Sequence, residues 1–182
     1  EKLIVQDVYK KVVSLSIFGD YRDLSDHWRR MPDMISAWLE AHRCLFPGYE
    51  LWIMHDDAVY SSNAGNVLHQ YEKQGFVKLV YVPSHAGQGK CEKMLWRLMS
   101  LWNEDVDYVF CRDLDSIPTW KDRLVAEEFI TSRHAAGVLH DSPFHIGMMG
   151  GLCHFDARQF RESNTLSFEV FVQSFGWNDA AW

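Results

Sequence analysis

The amino-acid sequence predicts an α/β fold in which a mostly parallel central sheet carries helices on both faces. Three observations lead to this prediction. Short β-branched or aromatic runs alternate with amphipathic helical segments, and acidic residues recur where the apolar runs end. With 182 residues, 47% of them hydrophobic and 24% charged, the chain also has enough apolar side chains for one domain spanning 1–182. Strands that alternate with helices typically pair in parallel and are covered on both faces.

The first half of the chain holds three predicted strands separated by helices. The first helix has Ile35, Trp38 and Leu39 at helical spacing, and Pro47-Gly48 stops it. The predicted segments are a strand over 11–20, a helix over 26–49, a strand over 50–57, a helix over 64–74 and a strand over 76–83.

The second half continues the alternation after a glycine-punctuated loop. Pro118 opens one helix at a position that favours proline, since the first helical turn needs no N–H donor there. The predicted segments are a helix over 90–102, a strand over 106–113, a helix over 118–132, two strands over 134–141 and 149–155, and a partly helical tail after Asp156.

Acidic residues follow the predicted strands at four places, namely Asp20, Asp56-Asp57, Asp113 with Asp115, and Asp141. In open α/β sheets, ligands bind at the carboxyl ends of the strands. The positions of these acids therefore predict a ligand site at that edge of the sheet.

The D-x-D pair Asp113 and Asp115 is the most informative of these clusters. In extended backbone, side chains two apart point to the same side, so both carboxylates are expected to face one site. Two close carboxylates repel unless a positive group lies between them. Mg²⁺ or Mn²⁺ is such a group, because hard cations take oxygen ligands and often keep only one or two protein carboxylates. The alternative is a loop in which Asp113 pairs with Arg112 and Asp115 caps a helix.

Charge and composition disfavour several other classes of protein. The net charge of -7 lacks the basic face that a nucleic-acid binder needs. No run of about 18 apolar residues predicts a membrane span. No secretory leader opens the sequence, which favours a cytoplasmic location. The cysteines form no C-x-x-C pair and are interpreted as reduced packing residues; they are Cys44, Cys91, Cys111 and Cys153.

The stretch from Met94 to Phe155 resembles a family of glycosyltransferases with the Rossmann-like GT-A fold and an R-D-x-D-S motif. The resemblance lies in "LWRLMSLW", "VDYVFCRDLDS", "LHDSPFH" and "IGMMGGLCHF", which occur here in the family's order. The segments "VVSLSIFGD" and "HRCLFPGYELWIMHDD" are similar to the family's first strand, following helix and second strand, so the resemblance covers most of the chain. Two departures are visible: "HDSP" stands where relatives have Arg-Asp-His-Pro, and "GWNDAAW" lacks the family's late Gln.

The resemblance implies a nucleotide-diphosphate sugar as donor, a glycan or other hydroxyl compound as acceptor, and Mn²⁺ or Mg²⁺ as cofactor. Asp115 would ligate the metal, and Asp113 would contact the ribose or the metal. The end of the first strand would hold the base and ribose, through candidates Ser16, Phe18, Gly19, Asp20 and Tyr21. Phe18 or Tyr21 would stack on the base, although Phe18 fits a core position equally well.

The matching block supplies further candidate contacts for the donor. Arg97 is expected to pair with the acidic cluster or with the diphosphate, because its guanidinium matches carboxylate and phosphate oxygens; a surface salt bridge is the alternative. Arg112 is a further candidate nucleotide contact. Gly150 and Gly151 would let the backbone approach the sugar, although a tight turn explains them as well.

Four residues are candidates for metal binding or acid–base roles. His154, like its neighbours in the block, would serve as a further metal ligand or phosphate contact. Asp141 would bind sugar hydroxyls at a strand end. If the reaction inverts configuration, a carboxylate must take the acceptor's proton, and the candidates are Asp141, Asp156 and Asp179. Asp179 best matches the family's late Asp.

Two other functions stay open at this point. One is a nucleotidyltransferase or another phosphoryl-transfer enzyme with the same kind of metal site, although the sequence "GQGK" lacks the Walker spacing and follows the wrong strand. The other is a catalytically degenerate nucleotide- or glycan-binding domain.

Overall fold

The structure, a computed structural model, describes residues 9–19, 31–83, 90–139 and 151–174. Within these ranges six strands form one sheet in the order β3-β2-β1-β4-β6-β5. In chain order they are β1 (Lys11–Ile17), β2 (Tyr49–His55), β3 (Lys78–Tyr81), β4 (Tyr108–Cys111), β5 (Ala136–Val138) and β6 (Cys153–Asp156).

The helices lie between the strands and after the last one. They are α1 (Met31–Leu45), α2 (Asp57–Tyr60), α3 (Asn63–Lys73), α4 (Lys90–Leu95), a 3₁₀ helix (Trp96–Trp102), α5 (Trp120–Ser132), α6 (Ala157–Ser163) and α7 (Phe168–Ser174). No helix in the described ranges has the length and apolar character that crossing a bilayer requires.

The predicted α/β class with a mostly parallel sheet is confirmed. β1 pairs in parallel with β2 and β4, and β2 pairs in parallel with β3. The exception is β6, which lies antiparallel between β4 and β5. The sheet is therefore parallel except for one reversed strand.

Two apolar clusters cover the two faces of the sheet, as alternating side chains on buried strands require. Val13, Leu15 and Phe110 belong to the cluster that includes residues of α1, α3 and α5. Val12 and Val109 point the other way, into a cluster with residues of the 3₁₀ helix and α6. Helices therefore cover both faces, as the sequence predicts.

The helix predicted over 90–102 changes to 3₁₀ geometry at Trp96. Two serines of β1 bond to its backbone at this point. The N–H of Arg97 donates to Ser16 Oγ (2.8 Å), and the Arg97 carbonyl accepts from Ser14 Oγ (2.7 Å). Side-chain bonds of this kind compete with a helix's own ladder. They also attach the start of the 3₁₀ helix to the central strand.

The cysteines follow the packing interpretation only in part. Cys111 and Cys153 are buried and form no disulfide, whereas Cys44 is exposed on α1, so the interpretation is wrong for Cys44. The side chain of Cys91 lies outside the described residues.

Candidate functional site

The candidate site lies at one edge of the sheet. Because β1 is parallel to β2 and β4, their last residues, Ile17, His55 and Cys111, share that edge. β6 runs the opposite way, so its first residue and the preceding Gly151 lie at the same edge. One reversed strand thus brings a distant glycine to the D-x-D motif.

Residues Asp113–Ser116 form a turn, which we call the D-x-D turn, after β4 ends at Cys111. The Ser116 N–H lies 3.4 Å from the Asp113 carbonyl oxygen across this turn. Leu114 packs inward against the apolar core, Asp113 is half-buried, and Asp115 is exposed. The expectation that both carboxylates leave an extended strand on one side is therefore wrong, since the strand ends before the first of them.

Arg97 is the cation beside Asp113. Its Nη1 pairs with Asp113 Oδ1 and donates to the Arg112 carbonyl at 3.0 Å. Its Nε donates to the Met94 carbonyl at 2.9 Å. The Arg97 residue is only 3% exposed, so these contacts are made away from water. The structure thus places Arg97 against the acidic cluster and rules out the surface salt bridge.

Gly151 holds the other side of the Asp113 carboxylate. A Cβ built on Gly151 would lie 1.7 Å from Asp113 Oδ2 and 2.2 Å from its Cγ. No side chain fits in that space, and Arg97 prevents the carboxylate from swinging freely away. Gly151, predicted to contact a sugar, therefore contacts Asp113 in this structure.

Substituting Gly151→Ala is expected to lower the free energy of unfolding by about 1–3 kcal/mol, because the new methyl group must displace a carboxylate held by an ion pair. Urea denaturation of the variant and the wild type measures this loss. In an Asp113→Ala background the same substitution is expected to cost clearly less, since the clashing carboxylate is gone. Equal losses in both backgrounds would show that the Asp113 contact is not the cause.

Asp115 differs from Asp113 in having no ion pair or hydrogen bond within the described part of the chain. Among those residues, no three His, Cys, Asp or Glu side chains converge as a metal-binding group. An exposed single carboxylate suits a hard cation that takes most of its ligands from water and phosphate, and it does not suit a closed structural metal site. The donor set therefore fits Mg²⁺ or Mn²⁺ at Asp115.

Arg112 and His154 are both buried in the core. Arg112 Nη2 is 3.0 Å from Asp122 Oδ1 of α5, without the alignment of a hydrogen bond. His154 packs edge-on against Phe110 and Phe129, with ring centroids 5.1 and 5.6 Å away. Burial, followed by the Arg112 charge, lowers the pKa of His154 to about 3.

The roles predicted for these two residues do not fit their positions. His154 is 1% exposed and enclosed by phenylalanine rings, so its placement contradicts a metal-ligand role. Arg112 points under α5 and is equally inaccessible to a nucleotide at the sheet edge. Asp122 also accepts the Thr119 N–H at 2.7 Å at the start of α5. The Arg112–Asp122 pair thus connects β4 to the start of α5.

Two of the predicted nucleotide contacts at the end of β1, Ser16 and Phe18, already contact other parts of the protein. The Ser16 hydroxyl bonds to the α4–3₁₀ junction, as a donor to the Met94 carbonyl (3.2 Å) and as an acceptor from Arg97. Phe18 contacts Trp96 edge-to-face at 5.9 Å and packs against the apolar cluster. Gly19 has a φ of +143°, a conformation that favours glycine.

Sequence reasoning missed an ion pair at the end of β2. Lys93 Nζ lies 3.1 Å from Asp56 Oδ2, and the other Asp56 oxygen accepts the Val59 N–H at 3.2 Å, capping α2. Lys93 precedes Arg97 by four residues, the spacing that places two side chains on one helix face. The spacing of Lys93 and Arg97 was therefore the sequence signal that could have indicated two cations facing the acidic strand ends.

Sequence reasoning also missed Trp38, whose indole reaches the D-x-D turn from α1. Its helical spacing marked it only as a core residue. Five predicted site residues lie outside the described ranges; they are Asp20, Tyr21, Asp141, Gly150 and Asp179.

Comparison with known proteins identifies the fold. No family model matches the chain, and no curated protein matches it in sequence. A similar solved structure is 4-diphosphocytidyl-2C-methyl-D-erythritol synthase from Anaerococcus prevotii, with a TM-score of 0.51 and 9% identity over 93% of this chain and 83% of that one. Another is a mannosyltransferase from Pyrobaculum calidifontis in complex with GDP-Man and Mn²⁺, with a TM-score of 0.57 and 11% identity.

The match to the mannosyltransferase covers 84% of this chain but only 46% of that protein. The chain therefore corresponds to less than half of this neighbour's length. At these identities the comparisons show only that the chain shares an α/β fold of the GT-A type with the synthase and the mannosyltransferase.

Proposed function

We propose that this chain is a metal-dependent glycosyltransferase that uses a nucleotide-diphosphate sugar as donor. The observation that carries the proposal is the D-x-D turn at the carboxyl edge of the sheet. There Asp113 is neutralised by Arg97, while Asp115 is exposed and unpaired within the described residues. The Asp113 carboxylate is therefore occupied by a contact within the protein, whereas the Asp115 carboxylate is available to a ligand.

The charges at this turn favour a diphosphate that arrives with a cation. The buried Arg97 is already held by Asp113 and by two carbonyl groups, so it has little capacity left for phosphate oxygens. A free Asp115 carboxylate would repel a diphosphate on its own. A divalent ion at Asp115 would neutralise the charge that develops on the leaving diphosphate.

In the proposed reaction, the bond between the anomeric carbon and the diphosphate oxygen breaks. A bond from the same carbon to the acceptor's hydroxyl oxygen forms, and the hydroxyl proton passes to a carboxylate if the configuration inverts. Asp179 is proposed as this base and Asp141 as a ligand of sugar hydroxyls. The base and ribose are proposed to lie at the end of β1, beside Gly19, Asp20 and Tyr21.

A nucleotidyltransferase is the second candidate. It is favoured by the extent of the match to the synthase, which covers most of both chains, whereas the mannosyltransferase match leaves out more than half of that protein. Such an enzyme would bind a nucleoside triphosphate, and attack would occur at phosphorus. Donor preference therefore separates the two candidates.

The test is thermal unfolding with UDP, GDP, their sugar conjugates and nucleoside triphosphates, each with Mn²⁺ or with EDTA. One nucleotide at about 100 times its dissociation constant is expected to stabilise the wild type by about 2.7 kcal/mol, and only with Mn²⁺. Stabilisation by a sugar conjugate supports the glycosyltransferase, whereas stabilisation by a triphosphate alone supports the second candidate. Release of sugar from the stabilising conjugate then reports turnover.

Asp115→Asn is expected to abolish the Mn²⁺-dependent part of this stabilisation, since it removes the free carboxylate and keeps the side-chain size. Asp105→Asn is the matched control, because Asp105 is an exposed acid in the turn before β4, at the opposite edge of the sheet. The proposal fails if Asp115→Asn and Asp105→Asn respond alike, or if no nucleotide stabilises the cooperatively unfolding wild type.

A further inference from the structure

We infer that Trp38 is a positioning residue for Asp115, because its indole N–H fixes the D-x-D turn from beneath. The inference rests on the proposed function for the role of Asp115, but the hold on the turn is a property of the protein alone. Trp38 belongs to α1, 75 residues before Asp113 in sequence.

A single indole N–H reaches both ends of the turn. Trp38 Nε1 lies 3.2 Å from the Asp113 carbonyl oxygen and 3.0 Å from the Ser116 carbonyl oxygen. The Asp113 carbonyl also faces the Ser116 N–H, which closes the turn. Both carbonyls therefore converge on one donor, which is the arrangement that holds a four-residue turn at a fixed width.

The donor itself is fixed by its surroundings. Trp38 is completely buried, so water cannot take over its hydrogen bonds without a local opening. Its ring stacks on His42 at 5.7 Å and 11°, and His42 stacks on Phe46 at 5.6 Å and 6°. Trp38 and His42 are four residues apart on α1, and Phe46 follows four residues later, directly after the helix ends, so the helix aligns the stack behind the turn.

The rest of the turn is held on its inner side as well. Leu114 packs against the same apolar cluster that contains Trp38. Asp115 is the outward residue, and its carboxylate is free of protein partners in the described ranges. Ordering a residue's backbone costs free energy, so a turn that is already ordered binds a cation more tightly than a mobile one.

The test compares Trp38→Phe with Trp102→Phe. Both substitutions remove a buried or half-buried indole N–H that donates to a carbonyl, but the Trp102 bond goes to Leu166 at 2.8 Å, in the aromatic cluster of α6 and α7. Trp38→Phe is expected to speed hydrogen exchange of the Ser116 amide at least about tenfold and to weaken Mn²⁺ binding about tenfold, as the loss of one or two hydrogen bonds predicts. Trp102→Phe is expected to change neither.

Exchange is measured on the metal-free protein by NMR, and Mn²⁺ affinity by electron paramagnetic resonance with the nucleotide diphosphate that stabilises the wild type. If the Ser116 amide exchanges at the same rate in Trp38→Phe as in the wild type, the inference is overturned, regardless of the Mn²⁺ affinity. Faster exchange with unchanged Mn²⁺ affinity also overturns it, because the turn would then not govern Asp115. A wild type that binds no Mn²⁺ overturns the proposed function instead, and the exchange result still decides whether Trp38 holds the turn.

If Trp38→Phe does not fold, replacement of Trp38 by benzothienylalanine keeps the ring shape and removes only the N–H. The same two readouts then apply to that variant. A folded variant with wild-type exchange at Ser116 contradicts the inference.

Discussion

Replacing Arg97 with methionine is expected to lower the free energy of unfolding by about 3 kcal/mol. The substitution keeps an apolar side chain in the buried space but leaves Asp113 and two carbonyl groups without their donor. Breaking a buried ion pair from one side costs about 3–5 kcal/mol. The lower end applies here, because the Asp113 side chain is 38% exposed and water solvates part of its charge.

Urea denaturation of Arg97→Met measures this loss, and Arg161→Met is the matched control. Within the described ranges Arg161 donates only to backbone carbonyls, among them Asn103 at 2.8 Å and Leu101 at 3.0 Å, so its removal leaves none of the described carboxylates unpaired. Adding Asp113→Leu to Arg97→Met is expected to recover part of the stability, since both charges are then gone. A loss below about 1 kcal/mol in Arg97→Met would contradict the assigned ion pair.

Acidification from pH 7 to pH 4 is expected to destabilise the protein by about 3 kcal/mol through each of His42 and His154. Burial lowers the pKa of His42 to about 4 and that of His154 to about 3, from 6.5 in the unfolded chain. The unfolded state therefore binds more protons than the folded state across this window. Stability from these groups is complete above pH 6.5 and is lost as the pH falls towards 4.

The experiment compares denaturation of the wild type and His42→Phe between pH 4 and pH 8. Phenylalanine keeps the stack between Trp38 and Phe46 but cannot take up a proton, so the variant is expected to show a shallower decline. For His154, the Arg112 charge further disfavours protonation, while Asp122 opposes that effect. His134→Gln is the control, because His134 is exposed, and its stability is expected to fall with pH as that of the wild type does. If His42→Phe also follows the wild-type curve, burial of His42 is not a cause of the acid destabilisation.

The order of strands and helices was predictable because each element has a sequence pattern that is visible within its own residues. The run from Lys11 has the β-branched pattern of a buried strand, and Pro47-Gly48 marks the stop of α1. The reversal of β6 was not predictable in this way, since a short apolar run reads the same whichever direction it pairs. The 3₁₀ segment was missed for a similar reason, because its cause is a pair of serines on another strand.

The candidate site was predictable in location and not in its internal contacts. Asp113 and Asp115 stood out because two close carboxylates repel unless a cation lies between them, and because ligands of α/β sheets bind where the strands end. The partners of Asp113 lie 16 residues before it, at Arg97, and 38 after it, at Gly151, so no local spacing reports them. His154 was misassigned because it lies in the block that resembles the glycosyltransferase family, whereas the alternation of the strand turns its side chain towards Phe110 and Phe129.

The position of β1 in the middle of the sheet has a consequence for the order of folding. Its pairing with β2 joins Lys11 to Tyr49, but its pairing with β4 joins Lys11 to Tyr108. The second pairing closes a far longer chain segment and is accordingly slow to form. The segment from β1 to β3 can therefore form before Asp113 is brought to the shared edge. A ligand that binds at this edge therefore binds only after β4 has paired with β1. We expect it to slow unfolding without accelerating folding.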